Sequence, residues 1–185
     1  MDKVQAVKKL LLDKIITNHA WNKLYKKSLF DNTRFPIGKK YEDIGIMYFL
    51  FEKSNKIVYQ DSTKYVYINR DGSILHNKNT ELLHDYMSTI NNRYEYLTKK
   101  YKDEYKEVLE YNLLFSILQY HIIAIGGRQK EMYYSNVMLD EYNKLKEIIK
   151  NIQIVKKLNL KYKFFLFSLL LNRRLTYTIF TRIIK

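Results

Sequence analysis

The segment RFPIGKKYEDIGIMYFLFEK, residues 34–53, changes character at Glu42. Its first part holds the only proline of the chain and a glycine, which together predict a loop over residues 34–41. From Glu42 to about Lys53 the apolar residues recur at helical spacing. The stripe is formed by Ile44, Tyr48 and Phe51. The segment therefore predicts a loop that leads into an amphipathic helix, with the adjacent carboxylates of Glu42 and Asp43 at its start.

Two interpretations of Glu42 and Asp43 follow from their position. A carboxylate at a helix N-terminus accepts backbone N–H bonds and is favoured by the helix dipole, so the pair is typical of a helix cap. A carboxylate in a cleft is also the usual general base. Adjacent helical residues point about 100° apart, so the two side chains cannot serve one site equally. Both interpretations stay open at this point.

The regions on either side of this segment define the predicted fold class. Upstream, apolar residues at helical spacing between Val4 and Ile15 predict an opening helix. Downstream, KIVYQD (residues 56–61) and KYVYINR (residues 64–70) are rich in Val, Ile and Tyr and predict two short strands. From residue 79 onward only helical patterns follow, predicted at about 82–97, 104–125, 131–158 and 160–183. We expect an α+β, mostly α fold: an α/β region over residues 1–78, then a helical bundle over residues 79–185.

The chain is strongly basic, with a formal charge of +14. An AT-rich genome, whose codons enrich Lys, Asn, Ile and Tyr, is one explanation, and an anionic partner is another. After Glu147 no acidic residue occurs, so residues 148–185 carry +9 and residues 1–147 carry +5. Residues 160–185 mix apolar clusters with Lys and Arg, which is typical of a packed terminal helix and also of a helix at a membrane surface.

Several classes of function are excluded or not indicated by the residues. The chain has no cysteine, so disulfides, thiolate metal sites and cysteine nucleophiles are excluded. The N-terminus does not resemble a signal peptide, and the apolar block 164–171 is too short to span a bilayer. The many tyrosines follow helical and strand periodicity, which favours packing over base stacking, so we expect no nucleic-acid partner.

Three motifs occur in order and together carry a resemblance. The first is AWNKLYKKSLF, with Trp21, Lys23, Leu24, Tyr25, Leu29 and Phe30; the second is RFPIGKKYEDIG, with Arg34, Phe35, Gly38, Tyr41, Glu42 and Asp43; the third is YVYINRDGSI, with Tyr65, Tyr67, Arg70, Ser73 and Ile74. Over about residues 18–76 the chain resembles the C-terminal half of the catalytic domain of family 2 glycosyltransferases. These enzymes build bacterial capsular and surface polysaccharides.

The resemblance implies a GT-A fold and an inverting sugar transfer from a nucleotide-diphosphate donor to a hydroxyl of a glycan or lipid-linked acceptor. It assigns the general base to Asp43, with Glu42 in support. It places Arg70, Ser73 and Lys23 at the donor diphosphate, and Trp21 and Tyr41 on the acceptor side. The family uses a divalent metal, Mn²⁺ or Mg²⁺, and His76 is a candidate additional ligand.

The resemblance also implies what this chain lacks. Family members hold the metal and the nucleotide in an N-terminal half with a D-x-D segment, and no D-x-D occurs here. We therefore expect a C-terminal fragment or one half of a split enzyme, inactive alone, at the cytoplasmic face of the membrane with residues 160–185 in peripheral contact. The alternative is a basic helical module that binds nucleic acid or membrane without catalysis.

Overall fold

The computed structural model of the chain describes residues 1–62, 64–68 and 80–184. Within these ranges the protein is mostly helical, as predicted. The helices are α1 (Lys3–Leu12), a 3₁₀ helix (Lys27–Phe30), α2 (Glu42–Lys53), α3 (Thr80–Tyr101), α4 (Lys106–Gly126), α5 (Lys130–Tyr133), α6 (Asn136–Ile148), α7 (Ile152–Lys156), α8 (Leu160–Leu171) and α9 (Arg173–Ile183). Contacts divide the chain into two units, Met1–Asn77 with Ser88–Leu109, and Lys78–Met87 with Glu110–Lys185.

The first unit has a core in which α1 packs against α2. On both helices the buried residues recur at helical spacing and form one face, as in amphipathic helices. Residues from α3, α4 and the connection between them complete the core. Its fully buried members include Ala6, Val7, Leu10, Leu11, Met47, Leu50, Leu97 and Leu109. This packing fixes the start of α2, where Glu42 and Asp43 lie.

The two predicted short strands are not observed. Residues 56–62 and 64–68 form neither helix nor strand, and the remainder of the second predicted strand lies outside the described residues. A strand requires a hydrogen-bonded partner strand and usually buries one face. Here Val58, Tyr59, Val66 and Ile68 are all exposed, so no alternating buried face exists. The α/β part of the predicted fold is therefore not seen, and only its helical part is.

The second unit consists of shorter helices than the sequence predicts. The pattern over residues 131–158 forms α5, α6 and α7, and the pattern over residues 160–183 forms α8 and α9. Most of the breaks fall at residues whose side chains accept a backbone N–H of the helix that follows. These caps are Ser135, Asn151, Asn159 and Asn172.

One described helix, α4, is long and apolar enough to cross a membrane by length and composition. More than half of the apolar segment of α4 is buried within the molecule. The central helix of a water-soluble bundle has the same properties, so α4 alone does not identify a membrane protein.

Candidate active site

Asp43 lies in the first turn of α2, directly after the loop that the sequence predicts. The N-cap position is held by Tyr41, whose φ of 57° lies in the left-handed region and whose side chain does not cap the helix. This conformation is strained for a bulky residue, and such strain is concentrated at functional sites. Glu42 is exposed, whereas the Asp43 side chain is only 23% exposed. The two adjacent carboxylates therefore have different surroundings, and Asp43 is the one that faces the protein.

The Asp43 carboxylate has two described contacts. Its Oδ1 accepts the Ile44 backbone N–H at 2.8 Å, so the carboxylate satisfies one of the free N–H groups of the first helical turn. Its Oδ2 lies 3.8 Å from Nδ1 of His19. Asp43 thus stabilises its helix start and at the same time faces a histidine from a different part of the chain.

His19 connects Asp43 to a surface of stacked aromatic rings. The imidazole stacks on Trp21 with 5.1 Å between ring centroids. Trp21 in turn stacks on Tyr65 at 4.5 Å and on Tyr67 at 5.4 Å. All three aromatic residues are 41–51% exposed, so parts of their rings reach solvent although the rings cover one another where they stack. We call His19, Trp21, Tyr65 and Tyr67 the aromatic platform.

Asn18 holds the platform in place next to the buried core. Its backbone N–H donates to Asp13 Oδ1 at 2.7 Å, and its amide Nδ2 donates to the Leu10 carbonyl at 3.3 Å. Its Oδ1 accepts from Nη1 of Arg93 at 3.2 Å, and Arg93 is itself buried. Because His19 follows Asn18 directly, these bonds from α1 and α3 determine where the imidazole lies.

The surroundings of Asp43 raise the pKa of its carboxyl group. Burial is the largest cause, and the negative charges of Glu42 and Asp13 act in the same direction. The Ile44 N–H and His19 oppose the shift without cancelling it. A carboxylate with a raised pKa holds a proton more strongly than an exposed one, which suits a general base.

Lys23 stabilises the loop of residues 17–22, which carries His19 and Trp21 of the platform. Its ammonium group donates to the carbonyls of Thr17 at 2.6 Å and His19 at 2.7 Å, and to Oδ1 of Asn22 at 2.6 Å. Burial lowers the pKa of Lys23 to about 8, although Asp13 and Asp43 act in the opposite direction. In this arrangement all three ammonium protons are used within residues 17–22. The predicted donor-binding role of Lys23 stays a prediction.

Tyrosines beside the site are also affected by Asp43. Burial raises the pKa of Tyr25 to about 12, and the charge of Asp43 adds to the shift. Burial and then Asp43 likewise raise the pKa of Tyr41. The Tyr25 hydroxyl donates to the Ala20 carbonyl at 3.0 Å. Both phenols therefore remain neutral near Asp43 and add no charge to the site.

The structure brings together some of the predicted site residues. Asp43, Lys23, Tyr41 and Trp21 lie in one neighbourhood, with Trp21 linked to Asp43 through His19. The other predicted residues, Arg70, Ser73 and His76, lie outside the described residues. His19 was not predicted as a site residue, nor were Tyr65 and Tyr67 given a role. The position of His19, two residues before the tryptophan of the first motif, was the available signal.

The metal that the resemblance implies finds no ligand set in the part of the chain that the structure describes. Divalent ions such as Mn²⁺ and Mg²⁺ prefer several oxygen ligands. Within the described ranges no three His, Asp or Glu side chains converge. His19 and Asp43 together offer fewer ligands than such an ion needs. No chemical step is therefore assigned to a metal on these residues.

Scans against protein-family models, curated proteins and solved structures found no match to this chain. The motif resemblance and the geometry at Asp43 are therefore the two observations on which a function can be argued.

Proposed function

We propose that the first unit carries the base and acceptor side of an inverting glycosyltransferase site, with Asp43 as the general base. The observation that carries the proposal is the position of Asp43, half-buried beside His19 at the end of an exposed aromatic platform. Three features support it: residues from each motif lie in this neighbourhood (Trp21, Asp43 and Tyr65), burial raises the pKa of Asp43, and Glu42 is exposed.

The proposed reaction uses Asp43 for a single proton transfer. The acceptor hydroxyl forms a bond to C1 of the donor sugar while the Asp43 carboxylate takes its proton. The bond from C1 to the diphosphate oxygen breaks, and the nucleoside diphosphate leaves with the electron pair. Attack on the face opposite the leaving group inverts C1. A hydroxyl is a poor nucleophile without such a positioned base, which contributes roughly 10²–10⁴ in rate.

The aromatic platform fits the acceptor side of this reaction. Aromatic faces carry partial negative charge, and the C–H groups on one face of a sugar ring carry partial positive charge. Tyr65 and Tyr67 stack on Trp21 and are about half exposed, so an acceptor sugar stacked on their remaining surface would direct a hydroxyl toward the Asp43 carboxylate. His19 would act as a positioning residue because its imidazole touches both Asp43 and Trp21.

The donor side rests on residues that the described site does not contain. We propose that Arg70 and Ser73 close over the donor diphosphate, as the resemblance implies. We propose further that the nucleotide-binding half, with its D-x-D segment and divalent metal, is supplied by residues outside this chain. The isolated chain is then expected to release no nucleoside diphosphate from nucleotide sugars.

The test is reconstitution with the coding region directly upstream of the Met1 codon. If that region encodes a D-x-D segment, the protein that joins it to residues 1–185 should hydrolyse a nucleotide sugar or transfer its sugar to an acceptor. Asp43→Asn should then lower kcat by roughly 10²–10⁴. The matched control is Glu42→Gln, the exposed neighbour, which should lower kcat by less than about tenfold.

Two results would contradict the proposal. One is full activity of the Asp43→Asn enzyme, which would show that Asp43 is not the general base. The other is robust sugar-nucleotide turnover by purified residues 1–185, which would show that no outside half is needed.

The alternative function, a basic binding module, is favoured by a different observation. Residues 148–185, which belong to the second unit, carry +9 without an acidic residue. Binding to an anionic surface would therefore use the second unit and does not compete with catalysis in the first.

A further inference from the structure

Helix α8 exposes a continuous apolar stripe. Its buried face is formed by Phe165, Leu166 and Leu169, as expected for a helix that packs on a core. Four further apolar residues at i, i+4, i+7 and i+11 are exposed, and at about 100° per residue they lie within an arc of roughly 60°. They are Leu160 (83%), Phe164 (67%), Phe167 (59%) and Leu171 (68%). A contiguous exposed stripe of this kind marks an interaction surface, because helices in water normally carry polar residues there.

Lysines border the α8 stripe on both sides. Lys163 lies about 40° beyond Phe167 around the helix, and Lys161 lies about 60° beyond Phe164 on the other side. Long lysine side chains can extend their ammonium groups to a polar layer while their methylene groups cover apolar surface. An apolar stripe between lysines is the arrangement found in helices that lie in a membrane interface.

Helix α9 also exposes apolar and basic residues, and it has three distinct faces. Thr176 is buried and marks the inward face. Arg174, Thr178 and Arg182 follow each other at i, i+4 and i+8 on one exposed face. On the adjacent exposed face stand Leu175, Ile179 and Ile183. The two helices meet where Phe164 and Phe180 approach to 6.3 Å between ring centroids.

The basic face of α9 forms one side of an open groove of about 770 Å³. The side chains of Lys130, Arg174 and Arg182 bring positive charge to this groove. The hydroxyls of Thr178 and Thr181 also line it, but they donate to backbone carbonyls of α9. No acidic residue lines the groove. Guanidinium and ammonium groups are donors that bind phosphate oxygens, so the three cations of the groove fit a phosphate group.

We propose that α8 and α9 form a docking face for a bilayer that contains anionic phospholipid. The exposed stripes enter the boundary between headgroups and acyl chains, and the groove binds a lipid phosphate. Charge complementarity supports this occupant, because residues 148–185 carry +9 without one acid. A second copy of the chain would instead bring two such segments together at an electrostatic cost. All these residues belong to the second unit, so the inference does not depend on the function proposed for Asp43.

Vesicle co-sedimentation of the full chain tests the apolar stripe. We expect binding to phosphatidylcholine vesicles with about 30% phosphatidylglycerol, little binding to pure phosphatidylcholine, and weaker binding as salt screens the charges. Phe164→Ser with Phe167→Ser should lower the partition coefficient about tenfold or more. The matched control is Leu24→Ser with Ile37→Ser, two fully exposed apolar residues of the first unit, which should bind like the wild type.

A second variant tests the groove. Arg174→Gln with Arg182→Gln should lower binding to the anionic vesicles about tenfold or more and leave the weak binding to neutral vesicles unchanged. Both arginines are exposed, and far-UV circular dichroism verifies that each variant is folded. The inference is overturned by equal binding to both kinds of vesicle, by unchanged binding of the Phe variant, or by a Phe variant that only converts a dimer to a monomer.

Discussion

Each unit contains a histidine among aromatic rings, and the two clusters differ in what surrounds them. In the first unit the aromatic platform is exposed and ends at a carboxylate, Asp43. In the second unit His121 is fully buried, with ring contacts to Tyr133 at 5.7 Å and to Tyr142 at 6.4 Å. That cluster contains a cation, since the Arg173 guanidinium lies 4.9 Å from the Tyr142 ring centroid.

The aromatic platform has the exposure of a binding surface, whereas the cluster around His121 packs helices of the second unit together. Arg173 lies 5.3 Å from the Tyr133 ring centroid and donates from Nη2 to the Tyr133 carbonyl at 2.8 Å. The Tyr133 hydroxyl donates back to the Arg173 carbonyl at 3.0 Å. The start of α9 is thereby attached to α5 with no ring face left for a ligand. Around Trp21 the rings also stack on one another, but the three aromatic residues stay 41–51% exposed, which costs packing and is consistent with a function.

The largest expected effect on stability tests this contrast directly. Arg173→Ala removes two cation–π contacts and a charged hydrogen bond, and should lower the free energy of unfolding by about 2–4 kcal/mol. Trp21→Ala removes a ring that is 41% exposed and should cost less, about 1–2 kcal/mol. Urea denaturation followed by circular dichroism measures both. Arg174→Ala, at the exposed neighbouring position, is the control and should change stability by less than about 0.5 kcal/mol. Equal losses for Arg173 and Trp21 would remove the distinction.

The second prediction concerns acid sensitivity of the buried cluster. Burial lowers the pKa of His121 to about 4, and Arg173 adds to this, although the Ile117 carbonyl opposes it. Between about pH 6.5, the ordinary pKa of histidine, and about pH 4, His121 is therefore protonated in the unfolded chain and neutral in the folded protein. Stability should fall as the pH drops from about 6.5 to about 4, by up to the order of 3 kcal/mol.

His121→Phe should remove that part of the acid loss, because a phenyl ring fills the site without titrating. The control is His84→Phe, at an exposed position, which should keep the acid loss of the wild type. Urea midpoints measured near pH 7 and near pH 5 decide the outcome. An undiminished acid loss in the His121 variant would mean that other groups are responsible.

The smallest expected effect concerns Asp43 itself. Its pKa is raised in the folded protein, chiefly by burial, so the folded protein holds that proton to higher pH than the unfolded chain does. Stability therefore decreases as the pH rises through the interval above the ordinary value of 3.8, and the loss persists at neutral pH. Asp43→Asn should increase neutral-pH stability by less than about 1 kcal/mol, with no gain in acid below that interval.

Glu42→Gln is the matched control because Glu42 is exposed and its charge is only one of the smaller causes of the Asp43 shift, so it should change the urea midpoint less than Asp43→Asn does. A stability gain at Asp43 combined with a loss of activity would mark a residue retained for chemistry. A stability loss at neutral pH would instead favour the helix cap as its main role.

The sequence was sufficient to predict local features of the fold. The bounds of α2 follow from Pro36, Gly38 and the apolar stripe after Glu42, all of which act within a few residues. The long patterns after residue 130 were misleading, because apolar periodicity continues through Asn151 and Asn172 while their side chains cap the start of a new helix. The predicted strands failed for a different reason, since a strand depends on a partner that local composition does not show.

The site was only partly predictable because it joins distant segments. Asp43 could be identified from its motif and its place at a helix start. Its contact with His19 depends on Asn18, whose bonds to α1 and to Arg93 on α3 bring residues 75 positions apart into contact. No periodicity or spacing within the motifs contains that information. The platform of Tyr65 and Tyr67 on Trp21 likewise exists only in three dimensions.

Trp21 is the only tryptophan among 18 tyrosines and nine phenylalanines. Selectively excited emission from this protein therefore comes from one indole, and that indole stacks on His19 and on two tyrosines of the platform. Fluorescence will report events at the platform, whereas ellipticity will report the helices of both units. The protein thus carries an intrinsic optical probe that can separate opening of the Asp43 region from melting of α4 to α9 without any label.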